Sequence, residues 1–190
     1  MEPIQGNVSI DAQNIMPIIK KWLYSDKDIF IREVVSNGCD AITKLRMVDS
    51  AAAQNCSIHV EVDKAARELR FTDDGIGMTE DEVKTNINQV AFSGAKSFME
   101  EYAKNEDKEN SGIIGHFGLG FYSVFMIADK VTIDTLSFRE GATPVRWESE
   151  DGMAFTMTEG TRTTRGTTIT LHVSEAESEF LEQWRVREVL

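Results

Sequence analysis

Apolar residues recur at helical spacing over residues 13–23 and again over 27–47, and Ser25 and Asp26 between them break the pattern and offer helix caps. The second of these helices collects Ile31, Val34, Val35, Ile42 and Leu45 on one side. From residue 57 to 63 the pattern changes to strict alternation, with Ile58, Val60 and Val62 on one face, which predicts a strand. Residues 64–67 turn the chain, and 68–73 alternate again with Leu69 and Phe71 facing inward. Thr79-Glu80-Asp81-Glu82 reads as a capping box that opens another helix. Residues 99–112 are polar and without period, an expected exposed loop, and a short apolar helix is expected after Gly120 to about residue 128. Strands are then expected at 131–136, 145–148, 154–158 and 168–173. Residues 174–190 predict an amphipathic helix carrying Phe180, Leu181 and Trp184; it has no stop signal, as expected either for a frayed terminal helix or for a piece of a longer protein. This order fits an α+β fold: a two-layer sandwich of a mixed, mostly antiparallel sheet with helices on one face.

Composition narrows the function. The length of 190 residues suits one domain, and 41% hydrophobic with 27% charged residues is ordinary for a folded chain. A formal net charge of -12 argues against nucleic acid or an anionic membrane as partner through a broad basic face. Residues 1–6 carry neither a basic region nor an apolar one, so no secretory signal is expected, and the expected location is cytoplasmic. Two cysteines and three scattered histidines supply no disulfide framework or zinc set. Seven of the thirteen glycines fall between residues 75 and 120, a density that suggests backbone which closely approaches a ligand or moves.

Four constellations carry candidate chemistry. In the second helix Glu33 and Asn37 are four residues apart and Asp40 continues the stripe, with Gly38, Cys39 and Ala41 small beside it. Such a stripe is either a solvated face or one wall of a ligand site. Asp73 shares the parity of Leu69 and Phe71, so a carboxylate rides on the apolar side of a strand just before Asp74-Gly75-Ile76-Gly77-Met78. Either the chain has surfaced there, or Asp73 sits in a pocket and accepts a hydrogen bond from a ligand amino group, with Gly75 and Gly77 letting the backbone pass under a flat ring. Gly115-His116-Phe117-Gly118-Leu119-Gly120-Phe121 precedes a helix and could present amides to phosphate, although short glycine runs often only turn. There is no GxxxxGK[ST] motif and no Rossmann context. Thr167 has the parity of Ile169, Leu171 and Val173, so its hydroxyl faces the core side and could complete a polar floor with Asp73.

Taken together in this order, LYSDKDIFIREVVSNGCDAITKLR, DDGIGMT, GHFGLGFYSVFMIADKV and RGTTITLHV resemble the N-terminal nucleotide-binding domain of the heat-shock protein 90 chaperone family, most closely its bacterial branch. The resemblance runs from about residue 6 to 190. It implies the ATP-binding sandwich that this family shares with DNA gyrase, the MutL repair proteins and sensor histidine kinases. On that resemblance Asp73 takes the adenine amino group, with Thr167 assisting through ordered water. Gly77 and Met78 pack on the base, and Asn86 reaches the sugar or α-phosphate. Asp40 and Ala41 line the site from the helix, Asn37 holds Mg²⁺, and Glu33 orients or deprotonates the attacking water. Gly118, Leu119, Gly120 and Phe121 give backbone contacts to the phosphates, and residues 91–120 form a lid. The implied ligands are ATP or ADP with Mg²⁺. The implied partners are unfolded or partly folded clients and, through regions beyond this chain, a second copy of the protein.

Three positions depart from the family pattern: Phe92 stands where lysine is common, Asn88 where glycine is usual, and His116 where glutamine is usual. The expected function is an ATP-binding and weakly ATP-hydrolysing domain of a chaperone, spanning residues 1–190. The alternatives are a histidine-kinase-type ATP-binding domain, or a nucleotide-gated interaction module that does not hydrolyse ATP in isolation.

Overall fold

The computed structural model describes residues 27–89 and 120–190. The helix expected at 13–23, the loop at 99–112 and all of the expected lid except Gly120 lie outside them. The first described helix, α1, runs Ile29–Val48 and buries Phe30, Ile31, Val34, Gly38, Ile42 and Leu45, the face that the periodicity predicts. Its N-cap is Asp28, whose side chain makes no capping bond and instead accepts from Arg185 Nη2 at 2.5 Å.

Strands β1 (Ile58–Asp63) and β2 (Glu68–Asp73) pair as a hairpin. Helix α2 (Glu80–Val83) opens on the capping box: Thr79 accepts from Glu82 N while the Glu82 carboxylate takes Thr79 N–H. It continues as a π-helical turn, Lys84–Gln89. A 3-10 helix, Gly120–Met126, then leads into β3 (Ala128–Leu136), β4 (Val145–Ser149), β5 (Thr156–Glu159) and β6 (Gly166–Val173). The strands lie in the order β1-β2-β6-β3-β4-β5, and all five pairings are antiparallel. The α+β sandwich therefore stands, with its sheet antiparallel throughout the described strands.

Alternation sorts the sheet into two faces. Leu69, Phe71, Val131, Ile133, Val145, Trp147, Leu171 and Val173 are buried on the inner face against α1 and the 3-10 helix. Arg70, Thr72, Thr168, Thr170, His172 and Glu148 occupy the outer one, where Arg70 pairs with Glu61, Asp63 and Glu68. Phe30 meets Phe71 and Phe180 edge-on, at centroid distances of 6.5 and 5.1 Å, and so joins helix, sheet and C-terminal segment.

The one continuous helix expected over 174–190 is two pieces, a 3-10 helix Glu175–Leu181 and α3 (Gln183–Val189), broken at Glu182 (φ -97, ψ 120). The break lets Phe180, Leu181 and Val186 all enter the core, and leaves Trp184 64% exposed. The stripe expected to include Trp184 is interrupted because Phe180 is fixed by Phe30 while Arg185 is drawn to Asp28. The apolar helix after Gly120 is likewise present, but tightened to 3-10 geometry.

Candidate functional site

Asp73 is the last residue of β2, on its inner face and 8% exposed, as its parity with Leu69 and Phe71 requires. Its Oδ1 accepts from Gly75 N at 2.8 Å. Burial pushes its carboxyl up from 3.8 to about 6; the Gly75 N–H, the Arg162 charge and the Thr167 N–H pull the other way, and the Asp74 charge adds to the rise. Thr167 is its direct partner across the β2–β6 ladder and is also buried. The polar floor inferred from two separate parities therefore forms at one register position.

The glycines explain how backbone surrounds this carboxylate. A Cβ on Gly38 would lie 2.9 Å from Ile58 Cδ1 and 3.5 Å from Asp73 Cβ, so the small residue brings α1 down onto the strand. One on Gly75 would lie 2.7 Å from Ala41 backbone carbon and 2.8 Å from Asp73 Oδ1. Gly77 has φ +64, and its Cβ would fall 1.9 Å from Leu136 O; no L side chain fits there. Between them Ile76 donates its N–H to Ala41 O at 3.1 Å and accepts from Phe138 N at 2.8 Å. The loop 74–78 is thereby strapped from helix α1 to the segment that follows β3. Met78 is half-buried beside it.

Glu33 is half-buried on α1, whereas Asn37 and Asp40 are exposed and Ala41 is half-buried. Glu33 reaches the start of the 3-10 helix: a Cβ on Gly120 would sit 1.9 Å from its Oε2. The helix stripe and the end of the glycine run thus meet. Phe121 is buried behind Gly120 and meets Trp147 and Tyr122 edge-on. Asn86 is exposed on the π turn. Gly118 and Leu119 lie outside the described residues, as do Phe92 and His116.

Long-range pairing brings further contributors to the site. Thr135 is fully buried at the end of β3, opposite Thr167 in the β3–β6 ladder. Gly166 has φ +115 and a Cβ there would strike Asp73 O at 2.1 Å. Asn88, at the position where glycine is usual, accepts from the buried Trp147 Nε1 at 3.0 Å, and Tyr122 donates its hydroxyl to Ile87 O at 3.1 Å. Burial alone pushes the Tyr122 hydroxyl up to about 12, so it stays a donor. Strand parity places Thr135 inward with Val131 and Ile133, but only the long-range pairing of β3 with β6 brings it to the site.

The family model described as histidine kinase-, DNA gyrase B- and HSP90-like ATPase matches residues 29–154. The chain is 44% identical over 98% of its length to the chaperone protein HtpG of Porphyromonas gingivalis, covering 27% of that protein. It is 45% identical over 98% of its length to that of Bacteroides thetaiotaomicron, again covering 27%. With that of Cupriavidus taiwanensis it shares 41% identity over 95% of its length, covering 29%. It thus spans little more than a quarter of the curated relatives it matches.

Proposed function

Since this chain belongs to the histidine kinase-, DNA gyrase B- and HSP90-like ATPase family, we propose that it binds ATP and ADP as the nucleotide domain of a chaperone. In this reading residues 1–190 act as one domain of a longer protein that dimerises and handles unfolded clients. The likeness to HtpG chaperones supports the chaperone branch over a histidine kinase. The observation that carries the nucleotide site is Asp73: a carboxylate buried on an apolar strand face, fenced by glycines, with a neighbouring threonine at the same register.

Ionised Asp73 accepts an N–H from the adenine amino group. Guanine would set a carbonyl against it, and a site built around a ligand N–H rejects bases that lack one. Gly77 and Met78 lie against the base, and Asn86 reaches toward the sugar and α-phosphate. Asn37, Asp40 and Ala41 line the helix side, and the backbone of Gly120 and Phe121 faces the phosphates.

The donor set suits Mg²⁺. Asn37 offers one amide oxygen on an exposed helix face. Among the described residues no group of three or more His, Cys, Asp or Glu could hold an ion unaided. Phosphates and water complete the shell, as Mg²⁺ prefers. When bound, Mg²⁺ draws negative charge from the phosphate oxygens. Glu33 takes the proton of the attacking water as its oxygen bonds to the γ-phosphorus and the bond to the β-phosphate oxygen breaks, releasing ADP and phosphate. Turnover by this chain alone is expected to be slow. A cytoplasmic location is part of this reading; among the described residues no helix is long and apolar enough to cross a membrane.

Substituting Glu33→Ala tests the hydrolytic half of the reading in the longer protein. ATP binding should persist while turnover is lost. Turnover that survives the change removes Glu33 as the base.

A further inference from the structure

The polar floor has a third member, and hydrogen-bond inventory gives it a task. Thr135 Oγ1 has one proton, and three groups lie around it. Met78 N donates to it at 3.0 Å. It lies 3.2 Å from Gly166 O and 2.9 Å from Thr167 Oγ1. A carbonyl oxygen only accepts, so the Gly166 contact consumes the Thr135 proton. With that proton on Gly166 O, the contact with Thr167 is donated by Thr167. This leaves Thr167 with lone pairs alone to offer a ligand beside Asp73, which already accepts from Gly75 N. Burial deepens the effect: Thr135 is 0% exposed, so solvent supplies its hydroxyl with no alternative partner.

We infer that Thr135 is a specificity-determining positioning residue, which holds the Thr167 hydroxyl as an acceptor and so biases the site against purines that carry a proton at N1. The inference rests on the adenine-nucleotide reading above. With both Asp73 and Thr167 accepting, any water between them and the base turns one proton toward the wall and the other toward the base. That arrangement suits adenine, whose N1 accepts. It opposes hypoxanthine, whose N1–H donates and whose O6 faces Asp73. Without the Thr135 hydroxyl, Thr167 is free to turn its proton toward the ligand, and the same water can then accept from N1–H.

The test measures dissociation constants of ATP and inosine triphosphate, each with Mg²⁺, by calorimetry on the chain and its Thr135→Val and Thr135→Ser variants. Thr135→Val also strips Met78 N of its partner, which weakens every nucleotide alike. The informative quantity is therefore the ratio of the two constants. The ratio should fall about fivefold or more in Thr135→Val, the scale of one hydrogen bond, and return to within about twofold of the parent in Thr135→Ser. Thr135→Cys, of similar volume but with a weak thiol donor, makes the same comparison if the valine chain does not fold, and its ratio should also fall. Equal weakening of both nucleotides, or a Thr135→Ser ratio as low as that of Thr135→Val, overturns the inference and leaves Thr135 a packing residue. The underlying reading fails separately: if Asp73→Asn leaves ATP binding unchanged, the adenine site itself is misplaced and this inference falls with it.

Discussion

Asp73 carries a cost that the rest of the domain offsets. Its carboxyl is raised from 3.8 to about 6 in the folded chain, chiefly by burial. A raised carboxyl favours the protonated folded form. Its contribution to stability is therefore fully present below about pH 4 and is lost as pH rises through about 6. About two pH units correspond to about 3 kcal/mol. Without nucleotide, Asp73→Asn should therefore be more stable than the parent near neutral pH, by up to about 3 kcal/mol less any hydrogen bond that the amide makes poorly. Urea denaturation of both chains from about pH 4 to 8 checks this, and the difference should shrink toward the acid end. Binding runs the opposite way. An ionised acceptor is needed for the adenine N–H, so ATP affinity in the parent should weaken as pH falls below about 6.

Glu33 and Gly120 give a second test at this scale. The missing Cβ of Gly120 is filled by the Glu33 carboxylate. That carboxylate is the end of a flexible side chain, so Gly120→Ala should cost the fold little, about 1 kcal/mol or less. It should nevertheless displace Glu33 and lower single-turnover hydrolysis by tenfold or more, since misplacing a catalytic group by an ångström can cost on the order of a hundredfold. Hydrolysis at the parent rate would separate Gly120 from the Glu33 position. Parity alone made Asp73 and Thr167 legible. It gave Thr135 the same inward direction without revealing its neighbour, because a threonine on a strand is ordinary until the pairing is known.

Local pattern carried most of the elements. Glu68–Asp73 begins and ends where the alternation does, and the Thr79–Glu82 capping box forms both of its bonds. What escaped was geometry imposed from a distance. Helix α2 loosens into a π turn at Lys84–Gln89. There the Tyr122 hydroxyl donates to Ile87 O and the Trp147 indole to Asn88 Oδ1, contacts that span 35 and 59 residues. The terminal helix breaks for the same reason, held by Phe30 at one place and Asp28 at another. Asn88→Gly should strand the N–H of a Trp147 that is only 1% exposed. The expected loss is about 1–3 kcal/mol of unfolding free energy, read from urea denaturation, the penalty for a buried unpaired donor. No change would mean that the indole finds another acceptor.

At the scale of the whole molecule, the strand order β1-β2-β6-β3-β4-β5 was the least legible feature, since it joins β2 to a strand almost a hundred residues later. That pairing builds the site, setting Asp73 beside Thr167 and Thr167 beside Thr135. The net charge of -12 acts at this scale as well. It disfavours a polyanion with many contacts, but admits one compact anion that brings a cation. Added Mg²⁺ should accordingly strengthen ATP binding more than ADP binding, because the extra phosphate meets the acidic stripe of Glu33 and Asp40 on α1. Equal enhancement of both nucleotides would place the ion away from the γ-phosphate.

The measurement that bears most directly on the adenine pocket is calorimetric titration of the parent chain and Asp73→Asn with ATP near neutral pH. The parent should bind ATP well above GTP, and Asp73→Asn should lose detectable ATP binding while keeping its fold. An Asp73→Asn chain that binds ATP as the parent does would contradict the assignment.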